Sequence, residues 1–300
     1  MSAATIQSRF DSLNHRGHLA AEAGLIEEAL ALFDQLLAVA EESGEERLVD
    51  LAFCNRAAIA ILVGKADREA ARLREILMRN GDAVNARLAA YNLSRHFEVN
   101  KSYKKAMFYA RITHERSCAQ RRQDWIASSH NLIGNILLAE SFTARAVEEY
   151  EKALALMPAG SEVWMARILA NLGYCRVLQH RVGEGFTLLF KSLRLLRTHA
   201  AERFQATTHL DLSYAYLEAG RYDRARRHGE RALRIAERLG EVESQKNALY
   251  LLGEAANLSG HEVTARSYFG RLQNDFFPQA DYLPSMLLAV NVRKLVNLHA

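Results

Sequence analysis

His15 and His18 lie three residues apart with Asp11 one helical turn earlier, a spacing that can present two imidazoles and a carboxylate to a metal ion. No further histidine or cysteine accompanies them nearby in the sequence, so the pair reads as a chance spacing and no metal is expected. Gly183-Glu184-Gly185 has the outline of a dinucleotide loop, but no strand pattern precedes it. Ser102 and Lys105 share the SxxK spacing of a nucleophilic serine and its lysine. Their companion motifs are missing, and Ser102 stands where a helix begins, a normal place for a capping hydroxyl. Glu27-Glu28 and Glu148-Glu149 are consecutive and therefore point from different helix faces. No P-loop, HExxH or GxSxG occurs. Cys54, Cys118 and Cys175 are odd in number and far apart, which suggests neither a disulfide framework nor a zinc site. The expectation is a protein that is not an enzyme, holds no cofactor and resides in a reducing cytoplasm.

The elements that must carry these residues are helices. Three prolines in 300 residues, 8% aromatics and a wealth of Ala, Leu, Arg and Glu favour helix over strand. No apolar run is long enough to cross a bilayer, and the first residues lack the layout of a secretory signal. Arginine outnumbers lysine 31 to 8, a bias that fits a GC-rich, bacterial genome.

A repeat organises the chain. Gly17, Ala57, Ser94, Gly134, Gly173, Ser213 and Gly253 recur at intervals of 37 to 40 residues, and all are small. A second small residue follows each after 12 or 13 positions: Ala29, Ala70, Ala106, Ala146, Gly185, Ala225 and Ala265. Two antiparallel helices joined by a short turn approach closely only where a side chain is small, so each pair marks a helical hairpin. Gly24, Gly64, Gly220 and Gly260 fall at the turns, where a left-handed residue is wanted, with Asn100 and Ser141 near the same place in two others. Larger residues fill the hairpin core, among them Phe33, Tyr150, Leu189 and Phe269 after the second small position.

The segments Asn131–Pro158 and Leu210–Gly240 resemble tetratricopeptide repeats, and the resemblance extends in weaker form over roughly residues 5–278. It implies an all-α, right-handed α-solenoid of seven helix-turn-helix repeats, here with a period near 40 in place of 34. Residues 1–300 then form one superhelical domain. A last helix, about 285–298, starts an eighth repeat that lacks its partner.

In this family the first helices line a concave surface. The positions that usually face it are here Asn92, Arg95, Asn131, Asn135, Asn171, Tyr174, Asp211, Tyr214, Tyr250 and Glu254, with Arg167 and Asn247 one turn earlier on their helices. Asparagine offers a donor and an acceptor together and can pair with the backbone of an extended peptide. Arginine can grip a carboxylate, and tyrosine adds flat contact area. The alternative is that the amides bond between neighbouring helices, a reading that suits Asn55, Asn92 and Asn171 especially.

The net charge of +4 hides an asymmetry, because residues 1–50 carry ten acids against three bases. The arginines between Arg221 and Arg238 are interleaved with acids and lack the basic and aromatic alternation of an RNA module, and the more basic stretch from Lys101 to Arg122 reads as solvated surface, so nucleic acid is not the expected partner. Apolar residues surround most of the last helix, which suggests a homodimer interface at Leu288, Val292 and Leu295, or else a helix tucked deeply against its neighbour. The function expected is that of an adaptor or scaffold holding a protein or peptide in its groove. A peptide-sensing regulator acting on another protein is the runner-up, and an RNA-binding repeat protein stands third.

Overall fold

Helical propensity dominates the chain, and the computed structural model shows fifteen α-helices and no strand among the residues it describes, 3–64, 68–79, 81–293 and 296–299. The chain divides into two compact units, one of residues 1–140 with 148–158 and the other of residues 141–147 with 159–300. Unit one holds α1 (Ala3–Ala23), α2 (Ile26–Ser43), α3 (Glu46–Leu62), α4 (Glu69–Arg79), α5 (Ala83–Val99), α6 (Tyr103–Ala119), α7 (Gln123–Ala139) and most of α8 (Thr143–Ala155). Unit two holds α9 (Glu162–Leu178), α10 (Val182–Thr198), α11 (Glu202–Glu218), α12 (Tyr222–Leu239), α13 (Val242–Leu258), α14 (Glu262–Phe276) and α15 (Leu283–Ala289).

The recurring small residues are seats for large ones. In unit one, a Cβ built on Gly17 would lie 2.7 Å from the Phe33 ring, and one on Gly134 would lie 2.7 Å from Tyr150. In unit two the same clash joins Gly173 to Leu189 at 2.7 Å and Gly253 to Phe269. Each large residue lies four positions, one helical turn, after the second small residue. All four are buried to within 1% of completely. Burial of each is worth about 2–3 kcal/mol. Where serine replaces glycine, its hydroxyl turns inward and donates across the hairpin to the carbonyl of the second small residue. Ser94 reaches Ala106 at 2.9 Å, and Ser213 reaches Ala225 at 2.8 Å.

The hairpin turns share one backbone path whatever residue occupies them. Gly24 and Gly220 are left-handed, with φ of 82° and 68°. Lys101 and His180 adopt the same conformation with φ of 55° and 62°. In each, the following N–H closes the helix end: Leu25 donates to the Ala20 carbonyl, and Arg181 to that of Arg176, both at 2.9 Å. The left-handed residue of the third turn is thus Lys101, one position beyond the expected Asn100. Asn100 keeps a φ of −83° and donates its side-chain amide to the His96 carbonyl at 3.0 Å, which fixes it to the helix it ends.

The last helix is much shorter than the expected 285–298. It spans Leu283–Ala289, and Val290 turns to extended backbone with φ of −119°. The side chain of Asn291 accepts a hydrogen bond from the Arg293 N–H at 3.2 Å, a local turn that competes with helix. β-branched Val290 and Val292 add to the penalty. Leu287 is the residue α15 buries. Leu288 is half-buried, Val292 is half-buried beyond the helix end, and Leu295 lies outside the described residues. Among the described residues, no helix is long and apolar enough to cross a membrane.

Candidate functional site

Each unit has a wall of polar side chains on its first helices, and the two are used differently. In unit one the amides tie helix to helix. Asn92 donates to the Cys54 carbonyl at 2.7 Å, Asn55 donates to Asn14 at 2.7 Å, and Asn85 reaches the Arg47 carbonyl at 2.8 Å. Arg95 is half-buried and pairs at 2.6 Å with Glu98, whose charge raises its pKa. Asn131 is buried, and the Asn135 side-chain oxygen accepts from the Tyr150 hydroxyl at 2.9 Å. Arg87 is buried with its guanidinium 4.4 Å from the centre of the Trp125 ring.

In unit two the corresponding residues of α9, α11 and α13 meet the chain's own segment beyond α15. The Leu298 N–H donates to the Tyr174 hydroxyl at 3.3 Å, and the Asn247 amide donates to the Leu298 carbonyl at 3.1 Å. The His299 ring packs on Tyr174, with centroids 4.4 Å apart. Its Nε2 lies 2.9 Å from Oδ1 of Asp211, a residue with no exposed surface. Burial holds the Asp211 carboxyl above the ordinary carboxylate range, against the pull of His299.

Arg293 makes the second charged contact, an ion pair of 2.9 Å with Glu218. Tyr214, Tyr250 and Glu254 complete its surroundings. Burial pushes the Tyr214 hydroxyl up to about 12 and raises Tyr250 and the Glu254 carboxyl, while the Arg293 charge works the other way on all three. Asn257 holds the Leu288 carbonyl at 3.3 Å. Tyr174, Asp211, Tyr214, Asn247, Tyr250 and Glu254 are therefore gathered around one segment, as their register implies. Asn171 is half-buried on α9, and Arg167 is stacked between Trp164 and Phe204, 4.5 and 4.4 Å from the ring centres.

Glu218 and Asn257 were not among the sequence candidates. They stand five and four positions after Ser213 and Gly253, so extending the register by one more turn finds them. The period assigns residues 285–298 to a helix with Arg293 at the small-residue position, so it marks neither Arg293 nor Leu298 as a wall contact, and His299 lies beyond it.

Other histidines sit away from this wall. His18 packs edge-on against Phe33. His209 and His228 face each other in unit two, 2.8 Å between their Nδ1 atoms. Burial first, then His228 and the cations Arg197 and Arg231, push His209 down to about 3, and burial followed by Arg231 and Arg197 pushes His228 to about 4. Among the described residues, no three His, Cys, Asp or Glu side chains come together as metal ligands.

The family model described as tetratricopeptide repeat matches residues 164–238, the hairpins of α9 to α12. No curated protein matches the sequence. Solved structures match the fold. A Rap protein complexed with Competence and Sporulation Factor is 14% identical at a TM-score of 0.72, covering 94% of this chain and 79% of its own. NprR in complex with its cognate peptide NprX is 11% identical at 0.66, covering 95% and 81%. Aspartyl phosphate phosphatase F from Bacillus subtilis is 13% identical at 0.56, covering 100% and 96%. The family match covers α9 to α12, and the likeness to these structures shows an all-α, tetratricopeptide-like helical repeat fold for the chain.

Proposed function

We propose that the protein is an interaction module that takes an extended protein or peptide segment along the wall of α9, α11 and α13, and that it acts as an adaptor and not as an enzyme. The observation that carries this is the seating of Leu298. Tyr174 and Asn247 engage its N–H and its carbonyl, which are groups that every peptide has. Tyrosines and carboxylates around that seat supply contact area and charge. The fold shared with NprR and Rap structures that hold their peptide or factor supports the same reading.

A second reading, a peptide-responsive regulator acting on another protein, is favoured by the same segment, because a ligand entering this wall has to move residues 296–299. The test is affinity capture from the native host with the parent chain and with Tyr174→Phe/Asn247→Ala. A partner retained by the parent and lost by the variant supports the groove. An unchanged set of partners moves the function to another surface.

A further inference from the structure

Charge separates the segment on the wall from a neutral filler. The wall offers Asp211, Glu218 and Glu254, all carboxylates, and the segment answers with Arg293 and His299. Arg293 and His299 lie six residues apart in the chain. The contacts to Leu298 are indifferent to sequence, so the charged contacts decide which segment fits best.

The fit is incomplete in a specific way. The second oxygen of Asp211 and the hydroxyl of Tyr250 are buried and have no hydrogen-bond partner among the described residues. A single imidazole nitrogen serves only one carboxylate oxygen, whereas a guanidinium serves both through two parallel N–H groups. A buried acceptor left unmatched costs free energy that a better ligand recovers.

We infer that the segment containing Arg293 and His299 is a built-in competitor for the groove, and that the segment which displaces it is cationic, with an arginine where His299 now lies. This rests on the peptide-binding reading proposed above. It adds a ligand class and a mode of regulation: the groove is closed by its own chain until a better-matched basic peptide arrives.

The test uses the full chain and fluorescent peptides. One peptide carries the chain's own residues 290–300, a second replaces His299 with arginine, and a third replaces Arg293, Lys294 and His299 with glutamate. The receptors are the parent and Arg293→Ala/His299→Ala, with His299→Ala alone as a milder release. A competitor that closes the groove 90–99% of the time weakens apparent binding by about 10- to 100-fold, so the released chains should bind the first peptide tighter by that factor. The arginine peptide should bind both receptors more tightly than the first, and the glutamate peptide should bind neither. In the parent, the amides of residues 296–299 should be protected from hydrogen exchange and lose that protection when the arginine peptide saturates the chain.

Equal affinity for parent and released chains, or tight binding of the glutamate peptide, overturns the competitor and leaves the groove reading standing. Failure of every peptide to bind a released chain with an unchanged melting curve overturns both. A parent that dimerises in light scattering, with a monomeric His299→Ala variant, would place the segment of one copy in the groove of a second and overturn the intramolecular form.

Discussion

The polar walls of the two units occupy the same register positions and do different work. In unit one Asn92, two residues before its small position, is spent on the Cys54 carbonyl of a neighbouring helix. In unit two Asp211, also two residues before its small position, meets His299 from outside the repeat pattern. Residue type explains part of the divergence. An amide both donates and accepts, so it can satisfy a neighbouring helix backbone, whereas a carboxylate needs a donor and finds none among helical carbonyls. A register position says which way a side chain faces, and its chemistry decides whether the next helix consumes it.

The two units share their hairpin core, and truncating it is expected to give the largest effect. Tyr150→Ala in unit one and Phe269→Ala in unit two each empty the seat over a glycine and should cost about 3–5 kcal/mol in urea unfolding. A markedly smaller loss in either unit would mean that its hairpin can collapse around the void.

Acid should separate the units. His209 and His228 are held neutral in the fold, at about 3 and about 4 against an ordinary value of 6.5. Below pH 6.5 the unfolded chain binds protons that the folded unit refuses, so stability is lost as pH falls from 6.5 towards 4. Two groups at about 1.4 kcal/mol per pH unit each predict a loss of about 2–3 kcal/mol at pH 5.5 relative to neutral pH. Asp211 and Glu254, whose carboxyls burial raises, oppose this trend towards the acid end of the range. Replacing His209 and His228 with Phe and Gln should flatten the slope in unit two. A slope that survives assigns it to other groups, of which His18 and His114 in unit one are also shifted down.

The walls themselves supply a finer contrast. Asn92→Ala should destabilise the chain by about 1 kcal/mol, the worth of one hydrogen bond, and leave exchange at residues 296–299 untouched. Asn247→Ala should do the reverse, freeing those amides with little change in the unfolding midpoint. Matching results from both variants would erase the distinction between the walls.

Much of the fold is legible in the sequence because close contact leaves a compositional trace. Only glycine fits under Phe33, Tyr150, Leu189 and Phe269, and Ala57, Ser94 and Ser213 hold the equivalent place in other hairpins, so the spacing of small residues reports the hairpins directly. The wall residues of unit two follow from the same register. The segment beyond α15 does not, because its conformation is set by partners distant in sequence. Tyr174 is 124 residues from Leu298, and Asp211 is 88 residues from His299. The run Met286, Leu287 and Leu288 reads as helix on local grounds and is helix, and the Asn291 turn ends it, but nothing local announces that the chain beyond is held by the Asn247 amide and the Asp211 carboxyl.

The turns provide the smallest predicted effect and a test of what both units share. Lys101 in unit one and His180 in unit two carry side chains in the left-handed conformation that Gly24 and Gly220 adopt in other hairpins. A Cβ in that conformation meets its own backbone at a cost of about 1 kcal/mol, which glycine avoids. The hydrogen bonds that follow are already made in both: the Ser102 N–H reaches the Phe97 carbonyl at 2.8 Å, and that of Arg181 reaches Arg176 at 2.9 Å. Lys101→Gly and His180→Gly should therefore each raise stability, with the extra flexibility of glycine in the unfolded chain taking back part of the gain. Similar increases of about 0.5–1 kcal/mol in urea unfolding are expected from the two. A gain at one turn and a loss at the other would show that Lys101 or His180 makes a contribution through its side chain that the common backbone path does not explain.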